Sequence, residues 1–162
     1  MSIQGIFGKP RKLVTDATKR LCSAINEGEP NSMVKYILMN TVGNRNRDLP
    51  EKISFGEKCI IWLLRLLVPP HIDNEEAADF LRTKIGQNDN TIKWVVVRPS
   101  SLIDEEDVSE YKTHSSPTRS AIFNDGKVSR VNVAAFMNKL ITDQNLWEKW
   151  KGQMPVIYNK EK

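Results

Sequence analysis

Hydrophobic positions along this chain alternate between two periods, and the alternation predicts helices and strands in turn. Val14, Ala17, Leu21, Ala24 and Ile25 recur at helical spacing after Gly8-Lys9-Pro10, and Gly28-Glu29-Pro30 supplies the stop. That is an amphipathic helix covering a sheet. The run from Val34 to Met39 follows as a buried strand, and Asn40-Thr41-Val42-Gly43-Asn44 is the polar turn at its carboxyl end. Residues 44–54 are polar, carry Pro50 and read as a loop of the kind found near ligand sites. From Phe55 to Val68 nearly every face of the helical pattern is apolar, which predicts burial all round or an interface with another chain. Pro69-Pro70 should end that helix. A third helix is signalled from Asp73, with Ala77, Ala78, Phe80, Leu81 and Ile85 inward and Gly86 closing it.

A short β-branched run, Trp94-Val95-Val96-Val97-Arg98, is bounded by Pro99. Apolar residues on both faces predict a central strand, and proline should force the chain out of the sheet at Arg98. Residues 104–119 read as a long polar loop, and Ala121-Ile122-Phe123 as a short strand before the Asn124-Asp125-Gly126-Lys127 turn. Ser129 is placed to cap a helix with Val133, Phe136, Met137, Leu140 and Ile141 inward. Residues 145–151 continue helically, and Pro155 to Tyr158 is a last strand. The sum is an α/β fold with a parallel sheet flanked by helices, and in such a sheet ligands sit at the strands' carboxyl ends.

Three stretches carry a resemblance. Arg98-Pro99-Ser100-Ser101-Leu102-Ile103-Asp104 after its strand is similar to the RPG-x-L-x-D segment of atypical short-chain dehydrogenase/reductase (SDR) proteins, NmrA-like and flavin-reductase-like, which bind NAD(P). Tyr36 to Gly43 resembles that family's strand and Ser/Thr-rich turn, and Val128-Ser129-Arg130-Val131-Asn132-Val133-Ala134 its ISR-x-DVA helix start. The resemblance runs from about Gly5 to Tyr158. It implies that residues 1–162 form one domain, the C-terminal portion of a Rossmann-type doubly wound fold without the Gly-rich first half, so the edge at Val34 is expected to lack a neighbour. The family's Tyr-x-x-x-Lys pair falls on His71 and Glu75, and no such pair occurs in that helix.

What the resemblance implies chemically is an NAD(P)-dependent oxidoreductase in its complete form, or a non-catalytic redox or metabolite sensor acting with a partner. His71 would be the acid, its pKa raised by Glu75, or simply a residue at a helix start. Asn40 and Thr41 would hydrogen-bond a substrate carbonyl or the nicotinamide amide, or else satisfy their own turn. Pro99, Ser100 and Leu102 would line the nicotinamide end, with Ser100 standing where the family has Gly. NADP or NAD is the expected cofactor, bound weakly or not at all by this chain alone. Arg98 is expected to pair with a carboxylate such as Asp104, or to meet a phosphate. The substrate pocket would be built by the loops after Met39, Val97 and Phe123.

Composition narrows the partners. The 162 residues carry a formal charge of +4, and the densest basic group, Lys9, Arg11, Lys12, Lys19 and Arg20, is at the spacing of a solvated helix face; no nucleic-acid partner is expected. The most apolar window, residues 59–70, holds Arg65 and is too short to span a bilayer, so no membrane partner is expected. Met1-Ser2-Ile3-Gln4 lacks the pattern of a signal peptide. Cys22 and Cys59 lie in apolar helical patterns and read as buried free thiols of a cytoplasmic protein. His71 and His114 have no clustered ligands, so no metal is expected. A homo-oligomer is expected to form through Phe55 to Val68 or through the open sheet edge.

Overall fold

A computed structural model describes residues 8–160; the expectations placed on Met1 to Gln4 and on Gly5 lie outside them. In chain order the elements are α1 (Leu13–Glu27), β1 (Val34–Met39), α2 (Phe55–Leu67), α3 (Pro69–Phe80), β2 (Ile92–Pro99), β3 (Ser101–Ile103), β4 (Tyr111–His114), β5 (Lys127–Ser129), α4 (Arg130–Thr142), α5 (Gln144–Trp150) and β6 (Val156–Asn159). The main sheet has the order β1-β2-β6-β4: β1, β2 and β6 run parallel and β4 antiparallel. β3 and β5 form a small parallel pair that continues from the end of β2. The α/β class with a parallel-dominated sheet therefore holds. Among the described residues β1 has a neighbour on one side only.

β2 is the centre of both cores because its side chains alternate across the sheet. Val95 and Val97 pack against Val133, Phe136 and Leu140 of α4 and the two tryptophans of α5, Trp147 and Trp150. Trp94 and Val96 face the other way, onto Cys22 of α1 and onto Ala78 and Leu81 at the end of α3. The strand runs on through Pro99, contrary to the expected exit at Arg98. The N–H groups of Arg98 and Ser100 donate to Pro155 and Ile157 on the β6 side. Proline's missing donor therefore falls on the β1 side, where that strand has already ended.

Four further expectations are corrected. α3 starts at Pro69 rather than Asp73, because Pro69 and Pro70 occupy the first turn, where an absent N–H costs nothing. Val68, non-helical at the junction with φ −123° and ψ 87°, separates the two helices. The face of α1 that is buried carries Thr15, Thr18 and Cys22, while Leu21 is exposed. That rotation is imposed by α3. The carboxylate of Asp73 accepts from the backbone N–H groups of Val14 and Thr15, both at 2.8 Å, and so caps α1 from outside, where Lys12 offers no side-chain cap of its own. Residues 121–123 form turns, and the strand there is β5. The long polar segment is not a loop throughout, since Tyr111–His114 pairs with β6.

Asp73→Ala should cost about 2 kcal/mol, the upper range for loss of a helix cap, since two donors of α1 lose one acceptor. Urea denaturation measures it, and a loss below about 0.5 kcal/mol would show that α1 is held by packing alone.

α3 passes without a break into one π-helical turn, Leu81–Ile85. Gly86 ends it as expected, at φ +69°, a conformation that a side chain would strain. Its carbonyl accepts from the indole N–H of Trp94 at 2.7 Å, which fixes the start of β2.

Candidate functional site

A cavity of about 220 Å³ lies at the carboxyl ends of β1 and β2. Thr41, Val42 and Gly43 enter from the turn after β1, and Ser100 and Ser101 from the end of β2. His71 reaches it from the first turn of α3, Ile61 and Leu64 from α2, and Ala121, Ile122 and Asp125 from the segment before β5. The three loops expected to build a pocket thus do meet. Of the expected site residues the structure brings together Thr41, His71 and Ser100.

The others stand at its margins. Asn40 is buried and its amide is consumed structurally: Nδ2 donates to the Asn74 carbonyl at 2.8 Å, and Oδ1 accepts from the Thr41 N–H at 2.9 Å. Pro99 contributes backbone, its carbonyl accepting from Val42 N–H at 2.9 Å. Leu102 lies in β3, outside the cavity lining and partly exposed. Ser100 does not have a positive φ, so serine where the family carries glycine is unstrained.

Two buried polar atoms at this cavity have no hydrogen-bond partner, Nε2 of His71 and Oγ of Ser100. Such groups are rare in folded proteins and mark places where a further partner belongs. Oε1 of Glu75 lies 3.6 Å from His71 Nε2, too long for a hydrogen bond. Glu75 is turned instead to Arg65 of α2, which grips it with two bonds of 2.7 and 3.0 Å. The His71 pKa is accordingly lowered, chiefly by burial, with Glu75 opposing and Arg65 adding to the fall. Glu75 does push it upward, as expected, but burial, the largest influence, and Arg65 outweigh that push, so the net direction is down.

A carboxylate network holds the cavity walls. Ser54 and Glu57 form a reciprocal cap at the start of α2, and Ser120 Oγ donates to Glu57 Oε1 at 2.6 Å, tying the 120–126 segment to that helix. Burial would raise the Glu57 pKa, yet the hydrogen bonds from Ser120 and Ser54 outweigh it and hold it low. The Ser54-x-x-Glu57 spacing before an apolar run is a signal that could have placed this helix start from sequence.

Arg98 is fully buried and does not pair with Asp104. Its guanidinium donates to the carbonyls of Met154 at 2.7 Å, Asn44 at 2.9 Å and Ser115 at 3.1 Å, and to Glu51 Oε1 at 2.7 Å. Asp104 pairs instead with Arg130 at the surface. Arg98 thereby ties the loops around residues 44–51, 115 and 154 to the end of β2.

α2 is not buried all round. Ile61 and Leu64 turn to the cavity, whereas Phe55 and Trp62 are 82% and 65% exposed, with Leu66 beside them. Cys59 is exposed on the same helix, contrary to expectation, and Cys22 is buried with its thiol pushed up to about 11 by burial and by Asp89. A maleimide should therefore label Cys59 in the native protein and reach Cys22 only after unfolding; two fast-labelling thiols by mass spectrometry would contradict this burial.

A three-stranded parallel core with a ligand-sized cavity at its carboxyl edge is the architecture of Rossmann-type dinucleotide proteins. The chain belongs to the NAD(P)H-binding family, whose sequence model matches residues 7–144. No curated protein matches the chain. Among solved structures, a protein described as an NAD-dependent epimerase/dehydratase from Bacillus halodurans aligns over 90% of this chain and 53% of its own, at 19% identity and a TM-score of 0.56. One described as an NADH-flavin reductase from Streptococcus pneumoniae aligns over 96% and 70%, at 15% identity and 0.58. A short-chain dehydrogenase/reductase from Veillonella parvula, solved with NADP, aligns over 92% and 59%, at 15% identity and 0.56. These likenesses establish an SDR-like fold. The chain spans about half to 70% of the length of these three proteins. No helix among the described residues is long and apolar enough to cross a membrane.

Proposed function

We propose that this chain carries the substrate side of an NAD(P)H-dependent oxidoreductase of the atypical SDR type, with the nicotinamide end of the cofactor and the reducible group of the substrate meeting between Thr41, His71 and Ser100. The observation that supports it most is the pair of partnerless polar atoms, His71 Nε2 and Ser100 Oγ, at one cavity on the carboxyl edge of the sheet. Both suit a carboxamide or a carbonyl oxygen, so the residues fit the cofactor that the family implies. Bound there, the dihydronicotinamide supplies hydride.

The chain's own groups do the rest. His71, neutral at physiological pH because burial lowers its pKa, donates in its Nε2–H tautomer to the oxygen on which negative charge develops. Ser100 Oγ offers a second donor. Thr41 Oγ1 is held by a weak contact with Gly43 N–H, 3.4 Å long, and leaves its own proton to give. Val42, Ile61 and Leu64 keep water from the reacting atoms. We place the protein in a reducing cytoplasm, a reading supported by two free cysteines.

Calorimetric titration with NADPH and NADH tests cofactor binding, and loss of reduced-nicotinamide absorbance with a panel of carbonyl and flavin acceptors tests turnover. The residues 1–162 alone are expected to bind weakly or not at all, and a micromolar Kd would overturn that. Joined to a Gly-rich phosphate-binding half, these residues are expected to bind the cofactor and to oxidise it. Binding without oxidation by any acceptor would replace the enzyme with a sensor.

A further inference from the structure

A second cavity, about 550 Å³, adjoins the first at Asp125, which lines both. Its floor is the face of β4 and β6 that carries Lys112, His114 and Tyr158, Lys112 and Tyr158 being direct cross-strand partners. The opposite face of the same strands, through Tyr111 and Ile157, packs on α4 and α5. Gly126 packs closely against the Tyr158 ring: a Cβ there would come within 2.3 Å of Cδ1. Only glycine leaves that ring in place as a planar wall.

The charge of this cavity is one-sided. Among the described residues, Lys112, Arg119, Lys127 and Lys160 line it beside one carboxylate, Asp125, which accepts from the Ser101 hydroxyl. Lys160 is paired with Glu110 at the rim. The ammonium groups of Lys112 and Lys127 make no hydrogen bond and no close ion pair among the described residues, Glu110 acting on Lys112 only through its field. Unpaired ammonium groups at the mouth of a low-dielectric concavity concentrate anions there. The cavity at His71 is different in kind, lined by Val42, Ile61 and Leu64 and by a neutral imidazole.

We propose that the basic cavity binds the anionic end, carboxylate or phosphate, of a substrate whose reducible group enters the cavity at His71 and Ser100. That the anion belongs to a substrate rests on the oxidoreductase reading; that the cavity takes an anion rests on its own charges. A molecule with an uncharged reacting head and an acidic tail would lie past Asp125, its tail between Lys112 and Lys127 and any flat portion against Tyr158.

Calorimetry of the chain with citrate and with pyrophosphate at low salt tests this without any turnover. One of the two is expected to bind saturably, and Lys112→Ala/Lys127→Ala to weaken it at least tenfold. Lys58→Ala/Lys84→Ala, which removes the same charge from exposed helical positions elsewhere, is expected to leave it unchanged. All four lysines are exposed, so folding is not at risk. Preference for citrate assigns a carboxylate tail, preference for pyrophosphate a phosphate. No saturable binding of either probe, or equal weakening in both double variants, overturns the site. Saturable binding that survives while no acceptor oxidises reduced nicotinamide overturns the assignment to a substrate and leaves an anion site in its own right.

Discussion

Arg98→Met is expected to destabilise the protein by about 3–5 kcal/mol, the cost of leaving one partner of a buried ion pair alone. The Glu51 carboxylate, almost fully buried, would lose its cation, and the carbonyls of Met154, Asn44 and Ser115 would lose a donor together. Methionine fills much of the volume, so the effect isolates charge and hydrogen bonding from cavity formation. Domains of this size have only about 5–15 kcal/mol to lose. Urea denaturation should show a midpoint far below that of the parent. The Arg98→Met/Glu51→Gln double variant should be less damaged than the sum of the two single ones, because no uncompensated carboxylate remains. Additive losses would mean that Glu51 is held by its bond from Asn46 N–H rather than by Arg98.

His71→Phe should lower turnover, assayed with the phosphate-binding half supplied, by about a hundredfold, the usual effect of removing one donor to a developing oxyanion. Phenylalanine keeps the ring's shape in a partly buried first turn, so the folded state should survive. An unchanged turnover would remove His71 from the mechanism. The same residue gives stability a pH signature. Its folded pKa is lowered below the unfolded value of about 6.5, so in the interval below 6.5 the unfolded state binds the proton more readily. Stability is therefore full above that interval, falls as pH drops through it, and levels off below the folded pKa. Glu75 and Arg65 are the charged groups that face the imidazole, and His71→Gln should flatten the slope. A slope that persists in this variant would assign it to another group.

Much of the fold was readable along the chain because β-branched runs and helical spacing report burial directly. β1 runs from Val34 to Met39, as its apolar run predicted, although it is half-buried rather than buried and Met39 is exposed. Where the reading failed, a contact between distant residues had replaced a local signal. Asp73 turned α1 about its axis by capping it from 58 residues away. Pro69 and Pro70 looked like a stop and are a start, since proline fits a first turn as well as it breaks a last one. Tyr111–His114 looked too polar for a strand, and is one because β6 offers it a ladder.

The candidate site divides in the same way. Thr41, His71 and Ser100 came from resemblance and motif position, and the fold places them around one cavity. Arg98 stood out in sequence, but its partner was misjudged: Asp104 is six residues away, while Glu51 reaches it only because two loops converge on β2. The sign of the His71 shift was misjudged too, because sequence shows Glu75 four residues on and hides both the burial of the ring and the grip of Arg65 on that carboxylate.

By itself the sequence determined the α/β class, the parallel core and the edge of the sheet at which a ligand would sit, because these follow from which residues leave water and from where a strand ends. Only the tertiary structure decided which polar atoms remain without partners, which lysines share a cavity and which charge faces which. Those are properties of distance in space, and the intervals between residues along a chain do not encode them.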